Sequence, residues 1–168
     1  MNDVASGFIE ESRKTLTEAR DKIVHCLKQL NDDQANWRPF EQQNSLANII
    51  LHLCGNIRQW IIGGVGGTPD TRNRPAEFAD RKRYAVSDLI DRLNATVREA
   101  DEVIARVPRE RLLEPVRVQG FDTTPMGAIY HSVSHFVGHS QEVINITRFQ
   151  LRERYVFKFV PKTKEQGA

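Results

Sequence analysis

Cysteine is scarce in this chain and never closely spaced. Cys26 and Cys54 are the only two cysteines among 168 residues. With no C-x-x-C spacing there is no thiolate zinc motif, and two lone thiols fit a reducing cytoplasm in which no disulfide is expected. An excess of one charge is also lacking: 24 lysines and arginines face 22 acidic residues, for a net charge of +2. The clusters Arg72-Asn73-Arg74 and Arg81-Lys82-Arg83 are too short to argue for nucleic acid and read as a solvated loop. Long apolar runs are missing too. The longest, around Leu46 to Leu53, is broken by Asn48 and His52 and falls far short of the roughly 20 residues that span a bilayer. Met1-Asn2-Asp3-Val4 lacks the basic-then-apolar opening of a signal peptide. The expectation is a cytoplasmic protein with neither nucleic acid nor membrane as partner.

What is present suffices for a core. Hydrophobic residues make up 39% and charged residues 27%, a globular and not a disordered composition. The length suits one domain over residues 1–168, and no internal repeat is visible. Ser6 to Leu30 carries Ile9, Leu16, Ala19, Ile23, Leu27 and Leu30 at helical spacing. Asn31-Asp32-Asp33 ends that helix, and Trp37-Arg38-Pro39-Phe40 connects it onward, with proline disfavouring helix at Arg38. Asn44-Ser45 reads as an N-cap for a second helix from Leu46 to Ile62, stopped by Gly63-Gly64-Val65-Gly66-Gly67.

A polar connection from Gly63 to about Ala85 follows. It is long for a compact domain, and such connections are often functional; it is expected to cross the bundle or form the rim of a pocket. Ser87 is the expected N-cap of a third helix, Asp88 to Val107, closed by Pro108. Val116-Arg117-Val118 suggests a short extended piece, and Thr124-Pro125 opens a fourth helix to about Arg152. The tail Tyr155 to Val160 alternates like a strand without a partner; it is expected to pack along the bundle or against a second copy. Four long amphipathic segments imply an all-α fold, a four-helix bundle with a long crossover connection.

The chemistry concentrates in Y-H-S-V-S-H-F-V-G-H-S-Q-E, residues 130–142, which holds three of the five histidines. His131, His135 and His139 are spaced four apart, so on a helix they share one face. That face also carries Ala128, Gly138, Glu142, Ile146 and Phe149, while Ser140, Gln141, Asn145, Arg148 and Arg152 are expected to point outward. Gly138 suggests close approach by a helix or ligand. The column therefore faces the bundle interior or its mouth, with His52 beside the apolar stripe of another core helix. Imidazole is a common ligand of Zn, Ni, Fe and Cu, and two histidines at i, i+4 can clamp one ion. The plain alternative is a set of core histidines bonded to carbonyls or carboxylates; three on one face, with a fourth on a second helix, favour metal. Trp60, Phe121 and Phe136 are candidates to line an apolar mouth.

The run Asn44-Ser45-Leu46-Ala47-Asn48-Ile49-Ile50-Leu51-His52-Leu53, paired with His135-x-x-x-His139, resembles the DinB/YfiT-like superfamily of metal-dependent enzymes. Trp37-Arg38-Pro39 before the second helix and the glycine-rich turn after it agree. The resemblance implies an antiparallel four-helix bundle with a crossover, usually a homodimer. It also implies a divalent metal, often Zn or Ni, held by His52, His135 and His139. Members often carry glutamine three residues after the last histidine, where this chain has Glu142; that carboxylate would stand behind the ligands or join them. His131 would support the ligands or face the substrate. His25 reads as structural, and Cys54 as a small core residue.

Three neutral histidines leave a divalent ion its full charge and an open position, the pattern of a catalytic site. Such an ion lowers the pKa of bound water to near ~7 or holds a thiolate. The first route gives a hydrolase. The second gives a thiol S-transferase using a low-molecular-weight thiol, an activity the resemblance includes. Either would act on a small-molecule substrate. The alternative is a non-catalytic, stress-related metal-binding bundle.

Overall fold

A computed structural model describes residues 3–160. Four long helices carry the fold: α1 (Val4–Leu27), α3 (Leu46–Ile57), α5 (Val86–Arg106) and α6 (Pro125–Leu151). Between them lie two short helices, α2 (Asp32–Asn36) and α4 (Arg74–Ala79), and a small hairpin of β1 (Val116–Val118) and β2 (Phe121–Thr123). Among the described residues no helix is long and apolar enough to cross a membrane.

The caps explain most boundaries. Ser45 accepts from the backbone N–H of Asn48, and the Asn48 side chain returns a bond to the Ser45 backbone, closing a reciprocal capping box on α3. Thr124 caps α6 with Pro125 in its first turn. Ser87 is not a cap: α5 begins earlier, after Ala85, whose side chain cannot accept. The carboxylate of Asp32, on α2, accepts from Val86 N at 2.9 Å instead. Asn31 likewise opens α2 with its own capping box to Gln34 rather than merely ending α1.

The helical run that begins with α3 ends at Gly63, one residue past the expected Ile62. Its last turn widens into a π-helical segment, Arg58–Gly63, before the glycine-rich turn. A π turn carries an extra residue per turn and rotates the side chains that follow; Gln59 and Trp60 lie within it.

Contacts order the bundle α1, α5, α3, α6 around its axis. Helix α1 runs antiparallel to α5, joined by Arg13 to Asp101 and Arg20 to Asn94. Helix α3 runs antiparallel to α6, joined by Ser132 Oγ donating to Asn56 Oδ1 at 2.8 Å, both buried. The connection from Gly64 to Ala85 is the expected crossover. It returns along α3 to the end where α3 began, so that α5 starts beside α2. The core between the helices is built from Leu16, Ile23, Leu27, Leu46, Ile50, Leu53, Ile57, Leu89, Leu93, Ile104 and Phe136.

The hairpin was half expected; β2 was not. It turns at Gln119 and Gly120, both at positive φ, and lays Val118 on Gly64 so closely that a Cβ there would lie 2.5 Å from a Val118 methyl carbon. The tail after α6 forms no strand. It lies along α1, with Val156 O accepting from His25 and Gln29 and Val156 N donating to Gln29 Oε1. His25 is thus structural, as its position suggested.

Candidate metal centre

Helix α3 presents His52 and helix α6 presents His135 and His139 at one point. One nitrogen from each ring lies within 4.8 Å of the other two. The Nε2 atoms of His52 and His135 are 3.2 Å apart, and the His52 ring meets those of His135 and His139 edge-on. His52 is buried, whereas His135 and His139 are half-buried. The column therefore lies at the mouth of the bundle and not in its core.

The buried stripe of α6 runs one step round the helix, through Ala128, Ser132, Phe136, Ser140, Val143, Thr147 and Leu151. Ser140, expected outside, is fully buried, its hydroxyl satisfied by Val137 O at 2.7 Å. Phe136 is core and not mouth. Gly138 is exposed with open space around it, so no close approach required it. Cys54 is a buried core thiol, pushed up to about 11 by burial.

Each of two ligand candidates has a carboxylate behind it. His139 Nδ1 lies 2.6 Å from Glu142 Oε2. His52 Nδ1 lies 3.1 Å from Glu77 Oε2. Arg72 Nη2 is equally close to that nitrogen, but a ring nitrogen cannot both donate and accept. A lone pair there would face the carboxylate, so we assign the proton to Nδ1, donating to Glu77; this leaves Nε2 as a lone pair aimed at His135. A carboxylate behind a histidine is the usual means of orienting it toward a metal.

Neither Arg72 nor Glu77 was among the expected site residues. Both come from the crossover, Glu77 on α4. Arg72 grips the Glu77 carboxylate with two bonds, Nε to Oε1 at 2.7 Å and Nη2 to Oε2 at 2.8 Å, with its side chain only 4% exposed. Burial alone would raise the Glu77 carboxyl, but the bonds from Arg72 and His52 outweigh it and hold it below the ordinary carboxylate range. The bond from His139 does the same for Glu142, against its burial. Burial first, and then the neighbouring histidines and Arg72, push His135 down to about 4. It is therefore neutral near pH 7, as a metal ligand must be. Its Nδ1 is buried without a hydrogen-bond partner.

Gly55, one turn along α3 from His52, makes room for this pair. A Cβ there would lie 1.9 Å from Glu77 Oε1 and 2.9 Å from Arg72 Nε.

Rings flank the cluster. Phe78 of α4 lies 4.8 Å from the His52 ring between centroids. On the other side His131 is exposed and packs on Trp60 at 4.0 Å. Phe121 of the hairpin stacks on Trp60, and the Trp60 indole N–H donates to Gln119 Oε1. Of the three expected mouth residues, Trp60 is buried against His131 at the end of the histidine column, and Phe121 packs on Trp60 in turn.

Comparison with known proteins agrees with the fold. A conserved protein of Enterococcus faecalis superposes with a TM-score of 0.68 at 18% identity, covering 83% of this chain and 94% of that one. A DinB-like protein of Bacillus subtilis, YjoA, superposes with a TM-score of 0.66 at 12% identity, covering 88% and 96%. At such identities the likeness is one of fold, and the fold is DinB-like. No curated protein matches the chain in sequence. The family described as "protein of unknown function (DUF1572)" matches residues 3–164, and the chain belongs to that family.

Proposed function

We propose that this chain is a divalent-metal-dependent enzyme, a thiol S-transferase or a hydrolase, that brings a low-molecular-weight thiol or water to a small-molecule electrophile. The observation that carries this reading is the approach of His52 Nε2 and His135 Nε2 to 3.2 Å, with Nδ1 of His52 turned to a carboxylate. Tetrahedral zinc with bonds of about 2.0–2.1 Å to nitrogen separates its ligand atoms by roughly 3.3 Å. The His52–His135 spacing matches that edge, and His139 completes the set from one turn along α6. An all-nitrogen set suits Zn or Ni. When bound, such an ion acts as a Lewis acid beside which a thiol or water gives up its proton more readily.

The chain's own groups do the rest. Glu77 and Glu142 hold the Nδ1 protons of His52 and His139, fixing which nitrogen faces the ion. Phe78 and Trp60 provide apolar walls for an electrophile. Both cysteines are buried, so the thiol in the transferase reaction comes from outside the chain. Free buried thiols also suit a cytoplasmic setting, and the exposed Phe157, Phe159 and Val160 of the tail suit contact with a second copy.

Elemental analysis of purified, untagged protein tests the first step. About one equivalent of Zn or Ni is expected, lost in His52→Ala and His139→Ala with helix content kept. Metal retained in both variants refutes the ligand set. Loaded protein is then assayed against ester, amide and thiol-plus-electrophile substrates. Metal uptake without turnover of any of them leaves a non-catalytic, stress-related metal-binding protein.

A further inference from the structure

The geometry points to Arg72 as a positioning residue for the metal centre: it acts through Glu77 to hold His52 in the tautomer and orientation that face an ion. This rests on the metal reading above and goes beyond its three ligands. The acid behind His52 is not on a bundle helix. It arrives on the crossover, whose attachment at this point is a chain of polar contacts centred on Arg72.

Asp70 Oδ1 accepts from Arg72 N at 2.9 Å, and Asp70 Oδ2 accepts from Gln59 Nε2 at 2.7 Å. Gln59 Oε1 in turn accepts from Arg72 Nη1 at 2.9 Å. The guanidinium is thereby fixed from behind, and its Nε and Nη2 take both oxygens of Glu77. A planar fork on a planar carboxylate leaves that carboxylate no free rotation. Oε2 keeps a second lone pair, and His52 Nδ1 lies on it at 3.1 Å.

The π turn matters here, because it holds Gln59, the side chain that reaches both Asp70 and Arg72. Gly55 matters because a methyl group there would occupy the position of Glu77 Oε1. Four separate features of the chain thus converge on one contact. Released from Arg72, the Glu77 carboxylate is free to turn, either leaving His52 without its acceptor or reaching the ion itself and changing the ligand set from three neutral nitrogens.

Metal-free wild-type protein, Arg72→Gln and Arg72→Lys are titrated with Co(II), whose visible spectrum reports ligand set and geometry. Arg72→Gln is expected to bind about 10- to 100-fold more weakly, the usual effect of removing such an outer partner, with an altered spectrum and unchanged helix content. Arg72→Lys, which keeps the charge but not the fork, is expected to recover only part of the affinity. Wild-type affinity and spectrum in Arg72→Gln overturn the proposal. Should Arg72→Gln fail to fold, the charge-preserving Arg72→Lys decides alone: full wild-type affinity and spectrum overturn the proposal, and a loss supports it.

Wild-type protein that takes up no Co(II) refutes the metal reading instead. The positioning role is then judged without metal, from the NMR signal of the His52 Nδ1 proton. Its loss in Arg72→Gln or Arg72→Lys supports the assignment, and its persistence overturns it.

Discussion

Asn48 and Glu77 are joined by a 2.8 Å hydrogen bond from the asparagine amide to the glutamate carbonyl, one helical turn before His52 meets the same residue's carboxylate. Helix α3 therefore holds Glu77 twice, by its backbone and by its side chain. Asn48 Nδ2 also donates to Asp80 O, and its Oδ1 accepts from Arg38 and from Ser45. The asparagine at the third position of the cap box and the histidine four residues on are parts of one device that seats the crossover on the bundle.

Replacing Asn48 with alanine removes the return bond of the cap box and leaves the Glu77 carbonyl without its side-chain donor, while Asp80 O keeps Arg38 and Arg81. The expected cost is about 2–4 kcal/mol, read as a lower urea midpoint with an unchanged m-value. Metal affinity should fall with it, because Glu77 loses its backbone anchor. A variant as stable as the wild type contradicts the account.

Gly55→Ala sets two effects against each other. Alanine favours helix by about 1 kcal/mol, but its methyl needs the space of the Glu77 carboxylate. The helix is expected to persist by circular dichroism while metal affinity drops. Undiminished affinity would mean that Glu77 does not need its present position.

Stability of the metal-free protein should decline as pH falls from about 7 toward 4. The unfolded His135 takes a proton near its ordinary value of 6.5, whereas the folded one resists until about 4. Acid therefore favours the unfolded chain throughout that window. Glu77 and Glu142 act in the same direction lower down: their folded values lie below the ordinary 4.5, so their contribution is present above it and is lost as pH drops through the folded values. Urea midpoints measured across this range should flatten between pH 6.5 and 4 in His135→Gln. An unchanged slope would remove His135 as the cause.

Neither thiol should react in the native protein. Cys26 and Cys54 are both buried, and burial raises both thiols, Cys54 to about 11. Labelling with a maleimide at neutral pH is expected only after unfolding; rapid native labelling would show that the core opens.

The bundle was legible because its signals are local. Ser45 and Thr124-Pro125 mark helix starts, and the i, i+4 histidines fall on one face whatever surrounds them. Arg72 and Glu77 were not, since they meet His52 across 20 and 25 residues of sequence, and α4, which carries Glu77, buries no residue that would give it an apolar stripe. Ser140 misled for another reason. A hydroxyl that bonds the carbonyl three or four residues back needs no water, so Ser140 and Thr147 sit inside while looking polar. Ser87 misled because a side chain from another helix, Asp32, supplied the cap it was expected to give.

The packing of Trp60 on His131 gives the chain its own optical probe. The only other indole, Trp37, stacks on Phe149 further along α6, so Trp37→Phe leaves a single tryptophan, excited apart from the tyrosines at long wavelength, beside the histidine column. Its emission can then follow ion loading or the arrival of an electrophile in real time, with no dye attached.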